Sequence, residues 1–191
     1  MVSVSKRRRA IDAATSVYLA GEKLDMSGLA HDLGASRATL YRWVGNRDDL
    51  LAVVLSEATE RTYRQAIKQA HGRGTVYLLD FFNKVMRSIV ASAPLRALTT
   101  REPVVFIRLA FLPGAIESAA ARITAEVLAR ESASGALKLT LTPDVLAKAL
   151  VRICEVHLYA PLLGGDEPEI DTALDLVSLL LGEQDTPAGE A

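Results

Sequence analysis

The segment "SRATLYRWVGNR" (residues 36–47) carries Ser36, Arg37, Thr39, Tyr41, Arg42, Trp43 and Arg47 within one short stretch. Every one of these side chains donates hydrogen bonds, and no carboxylate, histidine or cysteine interrupts them. The chemistry on offer is recognition of an anion rather than bond making. A guanidinium pairs in a fork with phosphate oxygens or with the O6/N7 edge of guanine. The hydroxyls of Ser36, Thr39 and Tyr41 and the indole N–H of Trp43 can donate to phosphates. The Thr39 methyl suits the methyl group of thymine. A second basic cluster, "KRRR" at 6–9, ends on Arg9.

Such donors are useful only if something holds them in place. Asp25 is a capping residue for a short helix over 26–33 that turns Leu29, Ala30 and Leu33 inward. Gly34 can take the left-handed conformation that ends it. Ser36 caps the next helix, roughly 37–43, whose Leu40 packs inward with Leu29, Leu33 and Tyr18. Ahead of both, residues 6–20 place Ile11, Ala14, Val17 and Tyr18 at helical spacing. Helix, glycine turn, helix is the helix-turn-helix plan, whose second helix enters the major groove of double-stranded DNA. The N-terminus of that helix, with Ser36, would face a phosphate. Taken alone the pair is a weak signal, because structural corners also use a glycine turn.

Composition fits this reading. Residues 1–47 hold eight basic against four acidic side chains, and the remainder fourteen against nineteen, although the whole chain is near neutral. A basic end on an acidic body suits a polyanion partner. Half of the residues are hydrophobic and only 5% aromatic, with Ala and Leu dominant, so the fold class expected is all-α. The single cysteine, Cys154, excludes an internal disulfide framework and fits a reducing compartment. Asp12 and Ser16 break the apolar positions after the basic cluster, so the start reads as an amphipathic helix and not as a signal peptide. No run of eighteen apolar residues occurs, so no membrane partner is expected and the location expected is cytoplasmic.

Downstream, Gly45 ends the second helix and Asn46 can cap a long one from Asp48 to about Ala70, with Asp48 and Asp49 placed where the helix dipole favours acids. "HGRG" at 71–74 breaks the chain. Residues 75–92 are apolar apart from a narrow stripe of Asp80, Asn83, Lys84, Arg87 and Ser88, as in a central buried helix. Short helices are expected at 94–100 and 102–111, a break at Pro113–Gly114, and an amphipathic helix at 115–133. After a loop at 132–142, Thr142 as cap and Pro143 at the first helical position open a helix over 143–163. A last helix spans about 168–182, and "GEQDTPAGEA" is a frayed tail.

The constellation over residues 8–52 resembles the TetR family of transcriptional regulators. Leu29-Ala30, Gly34, Ser36, Thr39-Leu40-Tyr41, Trp43, Arg47, Asp48 and Leu50-Leu51 stand where that family has its characteristic residues, and "AIDAATSVY" looks like its first helix. "YRWVGNRDDLL" further resembles the QsdR-like branch, associated with lactone-degradation genes. Two departures stand out. Val44 occupies a position where the family usually has Phe, and Arg47 replaces its usual Lys, which implies a phosphate contact kept in forked form.

The resemblance implies a DNA-binding domain over 1–47, with Arg9, Ser36, Arg37, Thr39, Tyr41, Arg42, Trp43 and Arg47 on DNA. It also implies an effector-binding and dimerisation domain over 48–191 and a homodimer on an operator. Repression, the commonest mode in the family, would be relieved by a small apolar or amphipathic effector, with a lactone-type signal as one form. The final two helices are rich in Leu, Val and Ala, and Leu146, Leu150, Ile153, Leu174, Val177 and Leu181 are the expected dimer contacts. Phe81, Phe82, Met86, Phe106 and Phe111 are candidates for the effector pocket, with Arg108 or His157 as polar anchor; the competing reading of each aromatic is plain core. The helix from Asp48 is the expected link between reader and sensor.

Enzymatic chemistry finds little support. His31, His71 and His157 lie far apart and form no metal-binding pair, and "GRG" at 72–74 lacks the Lys-Ser or Lys-Thr of a phosphate loop. Cys154 and His157 could share a helix face, but a buried structural cysteine is the commoner outcome. No enzyme activity, cofactor or metal is therefore expected. The remaining alternative is a helical small-molecule-binding or adaptor protein without sequence-specific DNA binding.

Overall fold

Helices begin where the sequence supplies caps. The computed structural model describes residues 2–111 and 114–182, with side chains from Ser5 onward except that of Ala115. Pro113 and the tail from Glu183 lie outside the described residues, so those two expectations are left where they stood. Asp25 accepts from the N–H groups of Ser27 (3.1 Å) and Gly28 (2.9 Å) and starts α2, Met26–Asp32. Gly34 adopts φ 63°, and the Ala35 N–H closes back on the Ala30 carbonyl at 2.9 Å, ending α2. Ser36 accepts from the Thr39 N–H at 3.2 Å and starts α3, Arg37–Val44. Asn46 Oδ1 accepts from the N–H groups of Asp48 and Asp49 at the start of α4, Arg47–Gln69, while Asp49 accepts from the Asn46 N–H at 2.8 Å. This reciprocal pair satisfies donors that the helix cannot satisfy itself. Gly45 has φ 75°, and a Cβ there would sit 2.5 Å from the Asp49 carboxylate, so the junction needs glycine.

The other helices are α1 Val2–Leu19, α5 Gly74–Val90, α6 Ala93–Arg101, α7 Pro103–Phe111, α8 Ala115–Ala133, α9 Pro143–Leu158 and α10 Ile170–Leu181. A single 3-10 turn, Ala160–Leu162, follows α9. No strand occurs among the described residues, and the fold class is all-α as the sequence implied. The helix expected over 143–163 stops at Leu158, and Thr142 makes no side-chain cap bond; Pro143 alone marks that start. No single described helix is long and apolar enough to cross a membrane.

The chain divides into two compact units. The first comprises residues 1–62 and 89–120, and the second residues 63–88 and 121–191. In the first, α3 packs on α1 and α2, and α6 packs on α1. Ile11, Ala14, Leu29, Ala30, Leu40, Val44 and Leu50 form its core. Val44, smaller than the family's usual Phe, is still buried. In the second, Phe81 and Phe82 are fully buried with Met86, Ile123, Leu128 and Leu150. Tyr63 meets Phe81 edge-on at 5.7 Å between ring centres. Burial pushes the Tyr63 hydroxyl well above its ordinary range. Both α9 and α10 belong to this unit and pack on each other.

Candidate nucleic-acid interface

Because Leu40 and Val44 anchor α3 in the first unit's core, helical geometry sends Arg37, Tyr41 and Arg42 outward, and all three are exposed. Thr39 and Trp43 are half-buried beside them. Ser36, Thr39 and Arg42 are tied together: the two hydroxyls lie 2.9 Å apart, and Arg42 Nη2 donates to Thr39 Oγ1 at 3.2 Å. This chain holds three donor groups in register along the first turns of α3. Among the described residues, Arg37 makes no hydrogen bond or ion pair. Its charge adds a minor push to the lowering of the Asp25 carboxyl, which comes first from the Gly28 and Ser27 N–H bonds.

A groove of about 530 Å³ runs beside these residues. Lys6 and Arg9 of α1 form one wall, and Ser36, Thr39 and Trp43 the other, with Gly34 and Ala35 between them. The Lys6 ammonium sits 5.8 Å from the centre of the Trp43 ring, a cation–π contact. Lys6, the first residue of the basic cluster, is thus placed beside the residues of α3. It shares the exposed N-terminal half of α1 with Arg9, one turn ahead of the buried Ala10. Arg8, from the same basic run, is committed elsewhere: it pairs with Asp12 and, at 2.6 Å, with Glu57. Those partners push its guanidinium still higher.

Arg47 departs from the expectation. Its Nε donates to the Leu24 carbonyl at 2.8 Å and its Nη2 to Glu102 at 2.7 Å, with the side chain only 23% exposed. The longer, forked side chain commits Nε and one Nη2 proton to partners within the protein.

The family model for the tetracyclin repressor-like C-terminal domain matches residues 73–182. The solved structure of the R. erythropolis transcriptional repressor QsdR, of the TetR family, is 65% identical, covers 93% of this chain and 94% of that one, and superimposes with a TM-score of 0.91. The chain belongs to the TetR family. It falls in the QsdR-like branch and is a TetR-type transcriptional regulator. More distant TetR-family structures share the fold. The repressor AlkX from Dietzia sp. strain DQ12-45-1b is 24% identical over 92% of each chain, with a TM-score of 0.62. Thermus thermophilus FadR, in complex with lauroyl-CoA, is 18% identical over 97% of this chain and 100% of that one, also at 0.62. None of the curated proteins compared with the chain matches it.

The TetR-type sensor residues picked from sequence are distributed differently from the expectation. Phe81, Phe82 and Met86 are wholly buried in the second unit's core, whereas Phe106 and Phe111 belong to the first unit, the one buried and the other half-buried. Both candidate polar anchors have partners within the protein. Arg108 is half-exposed and ion-paired with Asp48 in the first unit. His157 Nδ1 meets Glu169 at 2.6 Å, bracing the end of α9 against the start of α10. Aromatic and methionine side chains suit a ligand cavity and a packed core alike, and residue type does not tell the two apart.

The residues expected at the dimer contact lie largely inside the chain's own second unit. Leu146, Leu150, Val177 and Leu181 are buried within the chain's own second unit, and Ile153 and Leu174 are half-buried. The large apolar side chains left outside on these helices are Val145, Val156, Leu176, Leu179 and Leu180, with Leu179 74% exposed.

Of the groups considered for enzymatic chemistry, His31 is exposed and His71 lies 3.7 Å from Asp80. Cys154 is buried, and that burial pushes its thiol up to about 12. A thiol so protonated is a poor nucleophile near neutral pH. Among the described residues no cluster of three His, Cys, Asp or Glu side chains is arranged to hold a metal ion.

Proposed function

We propose that this regulator is a repressor whose homodimer holds an operator through two copies of α3 and leaves it when a small apolar or amphipathic effector, of the lactone type, binds. The observation that carries the DNA part is the outward face of α3. Its apolar residues are locked into the core while Arg37, Tyr41 and Arg42 point outward beside the Lys6–Arg9 wall. Arg37 reads a base edge. Arg9, Ser36, Thr39, Tyr41, Arg42 and Trp43 hold phosphates, with Lys6 added to them and Arg47 removed. Repression is supported by the likeness to QsdR, named as a transcriptional repressor. In functional terms residues 1–47 read DNA and 48–191 sense and dimerise.

The dimer in this proposal forms through α9 and α10, with Val145, Val156, Leu176, Leu179 and Leu180 meeting their copies across a two-fold axis. A two-fold protein doubles base contacts over two half-sites. An effector that favours the dimer spacing unsuited to DNA weakens operator binding by the ratio of its affinities for the two forms. The lactone class rests on the branch resemblance.

The test is selection of duplexes from a genomic pool, followed by gel shifts over a salt series. A regulator retains one site selectively and loses affinity steeply as salt rises. Recovery of no preferred duplex would refute the DNA reading. Titration of the bound complex with an aliphatic γ-lactone and with its open-ring hydroxy acid tests the effector class. Equal operator affinity with and without saturating lactone would remove that part.

A further inference from the structure

The α1–α2 loop presents three backbone carbonyls, at Gly21, Glu22 and Leu24, to two arginines that come from elsewhere in the first unit. Arg101, the last residue of α6, donates through Nη1 to Gly21 at 2.9 Å and through Nη2 to Glu22 at 3.0 Å. Arg47, the first residue of α4, donates through Nε to Leu24 at 2.8 Å. Glu102 lies between these arginines, 2.7 Å from Arg47 Nη2 and 3.6 Å from Arg101 Nε, and only 13% of its side chain is exposed. These carbonyls end α1 and precede α2, where unpaired acceptors need cationic donors. Tyr18, Leu51 and Leu98 close the packing around a cavity of about 10 Å³. That is about the room of one water, so the inner side of the loop is closely packed.

We propose that Glu102 is a positioning residue for DNA binding. It orients Arg47 and Arg101 on the α1–α2 loop and so fixes α1, which carries Lys6 and Arg9, relative to α2 and α3. The inference rests on the DNA-binding reading above. It has an unusual sign. Removing an acid from a protein that binds a polyanion ordinarily strengthens binding. Here the loss of Glu102 weakens it, because the two walls of the groove lose their fixed spacing.

The test uses full-length protein and a duplex recovered by the wild type from a random-sequence pool. Glu102→Gln is expected to lower affinity for that duplex about tenfold, within the range for members of one salt-bridge network. The slope of log affinity against log salt stays unchanged, since no phosphate contact is lost, and Glu102→Asp recovers part of the affinity. Arg101→Ala, at a more exposed position, should do the same if Glu102→Gln fails to fold. Unchanged or tighter binding by the folded variant overturns the proposal. So does a slope reduced by about one in Arg101→Ala, which marks a direct phosphate contact. If the wild type recovers no duplex at all, the DNA reading fails first, and the two failures are distinguishable.

Discussion

Helix α3 and the pair α9–α10 obey the same periodicity, yet they present opposite problems. In α3 the buried residues are Leu40 and Val44, and what remains outside is polar, aromatic or small. The exposed face is therefore identified as soon as the buried one is. In α9 and α10 both faces carry large apolar residues: Leu146, Leu150, Val177 and Leu181 inside, Val145, Val156, Leu176, Leu179 and Leu180 outside. A helix with one apolar face has one thing to bury against. A helix with two has a choice, and only the rest of the fold makes it.

The contrast between inside and outside on α9–α10 is open to direct attack. Leu150→Ala is expected to lower the free energy of unfolding by about 2–5 kcal/mol, as for a fully buried leucine, without altering self-association beyond that. Chemical denaturation followed by circular dichroism measures it. Leu179→Glu is expected to leave the monomer's stability within about 0.5 kcal/mol of wild type. The same change weakens dimerisation by about 2 kcal/mol or more, as at an interface centre. Sedimentation equilibrium over a concentration series reads this directly. If Leu179→Glu unfolds the chain and Leu150→Ala only dissociates it, the faces have been assigned the wrong way round.

How much of this was legible from the residues follows from the same contrast. The caps Asp25, Ser36 and Asn46 and the turn at Gly34 act locally, within a few residues, and the structure places each where the sequence implied. The exposed face of α3 followed from them. The intramolecular bonds of Arg47 are not legible in the sequence, because its partners, Leu24 and Glu102, lie 23 and 55 residues away and no local pattern announces such a bond. The pairing of Arg108 with Asp48 and of His157 with Glu169 is equally invisible in the local sequence. Short-range chemistry can be read along a chain, whereas long-range pairing of charges needs the fold.

The α3 side of the comparison can be sharpened further. Arg37→Ala is expected to relax preference at one base position at a cost of about 1–3 kcal/mol, measured by competition with duplexes mutated singly. Arg9→Ala instead weakens all duplexes alike and lowers the salt slope by about one. Matching losses across all sequences for both variants would erase that division of roles. Ser36→Ala should cost about 1 kcal/mol of stability through the lost cap on α3.

The smallest effect is pH-dependent. The Asp25 carboxyl is held below its ordinary value of 3.8, first by the Gly28 N–H and then by the Ser27 N–H. A carboxyl lowered on folding contributes stability that is fully present above 3.8 and is lost as pH falls through its folded value. Asp25→Asn keeps a cap oxygen but removes this acid-limb component, and NMR titration of Asp25 should give a midpoint below 3.8.

Gly45 and Asn46 are the entire connection between α3 and α4: the Gly45 N–H donates to the Tyr41 carbonyl, and Asn46 exchanges hydrogen bonds with Asp49. A joint that short has no slack. A tilt at the start of α4 would therefore carry α3 with it, as a wrench turns a bolt, and with α3 the face proposed to meet DNA.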